Sequence, residues 1–255
     1  MEKFQSDGVE IAYLDFAPLT DDRQAPIVLI HGYASTHAVN WLFTQWVKTL
    51  TEDGRRVILL DNRGHGQSQK FYKPEDYALE KMAADVLHLL DHLGVERADV
   101  MGYSLGARIA TQIALLAPKR VRSLILGGIG INLIDRSGVP GGLAEAMEAE
   151  RIEDIDDPGL KIFRGFAEHT RSDLRALAAC ARGARSDLNP AQLKEIDAPT
   201  LICTGTRDDV ASDPHPLAPL FKNAHVVDIL GRDHNRAVGD RIYKQAVLEL
   251  LAARP

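Results

Sequence analysis

The chain is short of cysteine, of positive charge and of long apolar runs, and each shortage removes a class of function. Its 255 residues include only two cysteines, Cys180 and Cys203. They form no C-x-x-C pair and no ligand cluster, so neither a disulfide framework nor a zinc site is expected. Cys203 lies in an apolar strand-like run and reads as a small core residue, and Cys180 lies among alanines and reads as helix packing. Acidic residues outnumber basic ones by 36 to 30, for a formal net charge of −6. No long basic block interrupts that balance, so no nucleic-acid partner is expected. No uninterrupted apolar run reaches the about 20 residues that span a bilayer. The opening Met1-Glu2-Lys3-Phe4-Gln5 lacks the apolar core of a signal peptide. The expectation is a cytoplasmic protein with no membrane contact. His37, His88, His92, His169 and His215 have no ligand spacing, so neither a metal nor a cofactor is expected. Nothing in the chain points to an oligomeric state.

What is present is apolar and periodic. Hydrophobic residues make up 45% of the chain, enough for a sizeable core in one α/β domain with an insertion or in two small domains. Val9 to Leu14 alternates and predicts an edge hairpin or antiparallel strand. Pro26–Ile30, Arg56–Leu60, Ser123–Leu126, Thr200–Cys203 and Ala224–Leu230 are short continuous apolar runs, the pattern of parallel strands covered on both faces. Helical patterns lie between them, at Trp41 to Leu50, at Leu79 to Leu93 with Gly94 as a stop, and at Ile242 to Leu251. Alternating strands and helices predict a mostly parallel sheet with right-handed crossovers.

From about Asn132 to Asp197 the alternation fails. This stretch has no clear strand and several short helical patterns, punctuated by Gly138-Val139-Pro140-Gly141-Gly142 and Asp156-Asp157-Pro158-Gly159. Two ordinary crossover helices with long loops would account for it, but it is roughly ten times the usual few-residue connection, which favours an inserted helical lid.

The chemistry-bearing run is Gly102-Tyr103-Ser104-Leu105-Gly106. It follows the strand-like Ala98–Met101 and opens an apolar helix, Leu105 to Ala117, that stops at Pro118. A glycine-rich turn with a surface serine is the plain reading, and glycine and serine are common. Strand, tight turn and buried helix are, however, the setting of a nucleophile elbow, where neighbouring chains leave no room for side chains two residues either side of the serine. A serine hydroxyl needs a base, and the base an orienting acid. Downstream, Gly205-Thr206-Arg207-Asp208-Asp209 and Gly231-Arg232-Asp233-His234 each follow a predicted strand, at the sheet edge where catalytic groups collect.

Together with His31-Gly32-Tyr33 and Asp61-Asn62-Arg63-Gly64-His65-Gly66-Gln67-Ser68, these segments make the sequence resemble an α/β-hydrolase over nearly its whole length. The resemblance implies a mostly parallel, doubly wound sheet formed by residues 1–131 and 198–255, with a helical cap over 132–197. It implies Ser104 as nucleophile, His234 as general base and Asp208 as its acid. It places the oxyanion hole at the backbone N–H groups of Tyr33 and Leu105. Asp209 is the rival acid, though the G-x-x-D spacing favours Asp208, and an acid after the sixth strand would be Asp135. His31 and His65 read as loop-fixing hydrogen-bond partners, His225 as structural and Asp233 as solvated. Arg108, one turn after Ser104, either approaches the site floor or pairs with a carboxylate beneath it.

The expected partner is a small-molecule substrate, with Tyr33, Trp41, Tyr103 and Leu105 as candidate pocket walls. Phe163 and Phe166, three apart on a lid helix, either cap the pocket or glue the lid to the core. The elbow ends in Gly106-Ala107, unlike the Gly-Gly of many lactonases and carbon–carbon bond hydrolases of this fold. Serine rather than aspartate at the elbow argues against the dehalogenase and epoxide-hydrolase branches. The leading expectation is a serine hydrolase of a small carboxylic ester or lactone. A carbon–carbon bond hydrolase, an enol-lactonase of aromatic degradation, a perhydrolase side activity and a hydrolase-fold small-molecule receptor are the alternatives.

Overall fold

The computed structural model describes residues 1–20, 24–134, 141–185 and 188–253. One eight-stranded sheet organises them. In chain order its strands are β1 (Glu2–Ser6), β2 (Val9–Phe16), β3 (Ile27–Ile30), β4 (Val57–Leu60), β5 (Ala98–Tyr103), β6 (Val121–Gly127), β7 (Thr200–Gly205) and β8 (Ala224–Ile229). In space the order is β1-β2-β4-β3-β5-β6-β7-β8. The first two strands form an antiparallel hairpin, β2 pairs antiparallel with β4, and every other pairing is parallel.

Successive residues of the central strands serve opposite layers, which explains their unbroken apolar character. On β3, Val28 and Ile30 face a core shared with α2 (Leu79–His92) and α3 (Leu105–Leu116). Ile27 and Leu29 face the other layer, built from α1 (Trp46–Glu52) and the C-terminal helix Arg241–Ala252. The edges differ. The outer strand β1 has no unbroken apolar run, and only Phe4 and Ser6 are buried. At the opposite edge β8 is not covered on both faces: His225 and Asp228 are exposed, and only Ile229 is buried.

The Trp41 to Leu50 pattern is not one helix. Ala38–Leu42 forms a π-turn, with Phe43 N–H bonded to Ala38 O at 2.9 Å, and Gln45 at φ 64° breaks the chain before α1 begins. The break turns both tryptophans inward. Trp41 packs edge-on against Trp46 at 6.5 Å, and Trp46 Nε1 donates to Val238 O at 2.6 Å.

Among the described residues, four α-helices lie between β6 and β7: α4 (Leu143–Glu148), α5 (Pro158–His169), α6 (Leu174–Gly183) and α7 (Pro190–Leu193). Two helices follow the last strand, α8 (His234–Ala237) and α9 (Arg241–Ala252). The Asp-Pro-Gly segment starts a helix instead of merely turning the chain. Asp157 accepts from Leu160 N at 2.9 Å and Pro158 takes the first helical position, where its missing N–H costs nothing. Asp173 caps α6 in the same way. Leu143, Met147, Ala167, Leu177 and Ala181 form a small core that joins α4, α5 and α6 and closes on Ala34 from the sheet side. The expected punctuation at Gly138-Val139-Pro140, and the alternative acid Asp135, lie outside the described residues. No helix among the described residues is long and apolar enough to cross a membrane.

Candidate active site

Ser104 sits at the C-terminal end of β5 with φ 56° and ψ −114°, a conformation that L-residues rarely adopt. Crowding holds it there. A Cβ on Gly102 would overlap the Gly106 carbonyl, and one on Gly106 would overlap the Ile30 and His31 carbonyls. Ser104 N donates to Gly127 O at 2.8 Å, tying the turn to the neighbouring strand. The elbow therefore holds the serine out at the sheet edge, where Ser104 lines a cleft of about 800 Å³.

His234 lines the same cleft and opens α8 just after β8. Its Nδ1 lies 2.7 Å from Asp208 Oδ2. A carboxylate only accepts, so Nδ1 donates to Asp208 and Nε2 is the ring nitrogen left for other contacts. Asp208 is held in turn by Val210 N at 3.0 Å and Ala211 N at 2.8 Å, both on its Oδ1. Its carboxylate is fully buried, whereas the adjacent Asp209 is exposed and lines the cleft. Ser104 Oγ has no hydrogen-bond partner among the described residues, a looseness common to such sites before substrate binds. Asp233 is not simply solvated, because it caps α8 by accepting from Arg236 N at 2.8 Å.

Opposite the elbow runs the loop after β3. Gly32 lies so close that a Cβ there would meet Ser104 Cβ at 3.3 Å. The N–H groups of Tyr33 and Leu105 have no acceptor among the described residues, while Gly32 N donates to Asn40 Oδ1 at 2.8 Å. Local sequence does not mark Asn40, and only the π-turn brings it to this loop. The loop is braced from below. His31 Nδ1 donates to Gly32 O at 2.8 Å and its Nε2 accepts from Asn62 N at 3.0 Å. Burial pushes His31 below the usual imidazole range, keeping this neutral tautomer. Asp61, also buried, accepts from the backbone and ring of His37 and from Gln67 N. Burial pushes its carboxyl up, but the hydrogen bonds and the neighbouring His31 and His37 outweigh that and hold it well below the usual carboxylate range.

Tyr33, Tyr103, Phe163 and Phe166 all line the cleft. Trp41, expected among them, does not: it is wholly buried under the sheet beside Trp46. The Phe163 ring also packs against Tyr33 at 6.4 Å, and both phenylalanines border the small core of α4, α5 and α6. Tyr103 has a further role that the sequence did not reveal, donating its hydroxyl to His234 O at 2.6 Å. Arg108 meets no carboxylate among the described residues. It donates to the carbonyls of Asn132 at 2.6 Å and Leu133 at 3.3 Å. No group of three or more metal-ligating side chains gathers among the described residues.

A family model described as alpha/beta hydrolase fold matches residues 25–186. The chain is 37% identical over 142 residues to the dihydrolipoyllysine-residue acetyltransferase component of the acetoin cleaving system of Pseudomonas putida, a match over 53% of this chain and 36% of that protein. Among solved structures, a hydrolase from Pseudomonas aeruginosa PA01 superposes with a TM-score of 0.81 at 26% identity, covering 99% of this chain and 98% of that one. The enol-lactonase from Burkholderia xenovorans LB400 does so at 0.78 and 22% identity, covering 98% and 100%, a likeness of fold alone.

Proposed function

The chain belongs to the α/β-hydrolase family, and from that premise we propose that it is a serine hydrolase cleaving a small carboxylic ester or lactone through an acyl-enzyme. In this reading Ser104 Oγ attacks the acyl carbonyl while its proton passes to His234 Nε2. The N–H groups of Tyr33 and Leu105 take up the oxyanion charge as the tetrahedral centre forms. His234 then gives the proton to the leaving alcohol as the carbon–oxygen bond breaks. Water attacks the acyl-enzyme by the same route, releasing the acid and restoring the serine. Asp208 fixes the imidazole tautomer and stabilises its charged form. Residues 132–197 act as the cap over the cleft, and no cofactor takes part. The substrate is a small molecule met in the cytoplasm.

The observation that carries this reading is the strained Ser104 in one cleft with a His234 whose far nitrogen is already bonded to Asp208. The test is a panel of 4-nitrophenyl acetate and butyrate, simple lactones and β-diketones, with Ser104→Ala as blank. Multiple turnover of esters or lactones is expected, with a loss of about 10⁴-fold or more in kcat for the variant. Cleavage of diketones alone would favour carbon–carbon hydrolysis. A single slow turnover would favour a receptor.

A further inference from the structure

Besides the large cleft, Ser104 borders a second, small chamber of about 60 Å³ on the side of α3. Leu105, Ile129 and Leu143 give it apolar walls, and Arg108 and Asn132 enter it as polar groups. Arg108 is only 7% exposed. A guanidinium carries five N–H donors. Its acceptors among the described residues are two neutral carbonyls, so its charge has no counter-ion there. Burying an unpaired cation is costly, and proteins normally pair it. Burial pulls this group down to about 10, which still leaves it charged at neutral pH. It also stands in the first turn of α3, where the helix already presents a positive end. The chamber thus has at its wall a buried positive charge with only neutral partners among the described residues, and the serine at its mouth.

We propose that this chamber takes the carboxylate of the substrate, with Arg108 as its binding partner. The inference rests on the ester or lactone reading of the same site and narrows it to compounds whose acyl part ends in a carboxylate. The spacing limits that acyl part. Arg108 follows Ser104 by four residues, Ser104 being the non-helical residue just before α3, and the chamber, at about 60 Å³, is small beside the cleft of about 800 Å³. A short acyl part, of the size of a succinyl or glutaryl group, is therefore expected. The leaving group then occupies the large cleft, whose rim carries Asp157, Asp209 and Asp233, the last paired with Arg236, and whose cation without a carboxylate partner among the described residues, Arg207, is exposed to water rather than buried.

The test compares monoethyl succinate with ethyl butyrate by pH-stat titration, in the wild type, Arg108→Met and Arg108→Lys. The wild type should prefer the hemi-ester at least tenfold in kcat/KM. Arg108→Met should lower the ratio of kcat/KM for the hemi-ester to that for ethyl butyrate at least tenfold, and Arg108→Lys should retain part of the preference. No preference in the wild type, or an equal loss on both esters in Arg108→Met, would overturn the proposal and leave Arg108 as a brace for the 132–133 loop. Should Arg108→Met not fold, thermal shifts of Ser104→Ala with glutarate and with glutaramide decide. Stabilisation by the diacid and not by the diamide is expected, and equal shifts, or none, reject the site. That second measurement needs no turnover, so it separates failure of the carboxylate subsite from failure of the hydrolase reading.

Discussion

Ser104 is held with positive φ by its surroundings, and such backbone strain costs about 1–3 kcal/mol. Glycine adopts that conformation freely, and alanine does not. Ser104→Gly should therefore unfold at higher denaturant than Ser104→Ala, by about 1 kcal/mol or more, although both lack the hydroxyl. Equal midpoints would mean that the elbow relaxes once the serine is gone. The same scale separates the two neighbouring acids. Asp208 contacts His234 and is shielded from water, whereas Asp209 projects into the cleft. Asp208→Asn should lower kcat by about 10⁴-fold, as loss of the tautomer-fixing carboxylate does elsewhere. Asp209→Asn should stay within tenfold. Steady-state kinetics on 4-nitrophenyl acetate read both, and the reverse order would move the acid role to Asp209.

Elements were legible in the sequence where local pattern and tertiary demand agree. The central strands β3 to β7 and helix α2 declare themselves because full burial or a single buried stripe leaves a periodic mark. The elbow declares itself because its glycines answer a packing constraint that no other residue meets. Strand β1 leaves no such mark, since an edge strand carries polar residues on its open side. The break at Gln45 is equally silent: it exists because Trp46 reaches Val238 O and Lys244 Nζ reaches Thr44 O, contacts with residues some two hundred positions away. The burial of Trp41 away from the cleft, and the arrival of Asn40 beside it, are hidden from local sequence for the same reason. The caps of α5 and α6 are visible as Asp-Pro and Ser-Asp pairs, but their use as helix starts depends on the residues C-terminal to them. If the segment carrying α5 opens as a unit separate from the sheet, its cap should matter locally. Asp157→Ala removes the acceptor for Leu160 N and should cost about 1 kcal/mol. Hydrogen exchange should show α5 amides opening about fivefold faster or more, with β5 and β6 unchanged. Equal acceleration throughout would mean that 132–197 unfolds only with the sheet.

At the scale of the whole molecule, the helices after β6 and the loop after β3 are bound to one another. Tyr33 donates its hydroxyl to Leu177 O at 2.9 Å and Thr170 Oγ1 donates to Ala34 O at 2.9 Å, so the proposed oxyanion loop and the segment above it share their fixings. Beneath that loop lie buried histidines, and they link stability to pH. Burial chiefly, aided by the nearby His31, depresses His65 to about 3. Its Nδ1 donates to Arg63 O at 3.0 Å, and its Nε2 has no partner among the described residues, so an added proton would find no acceptor there. In the unfolded chain the same ring titrates near about 6.5. Between those values the unfolded state binds the proton and the folded state does not. The stability is therefore fully present above about pH 6.5 and is lost as pH falls from there toward 3. From pH 7 to 5.5 the loss from His65 should be about 1 kcal/mol, with His31 acting in the same direction. His65→Gln keeps a donor for Arg63 O and cannot titrate. Urea denaturation at pH 7.0 and 5.5 should show the wild type losing about 1 kcal/mol more than the variant over that interval. Equal losses would mean that His65 accepts its proton without unfolding the loop, and that the bracing beneath the site does not depend on a neutral ring.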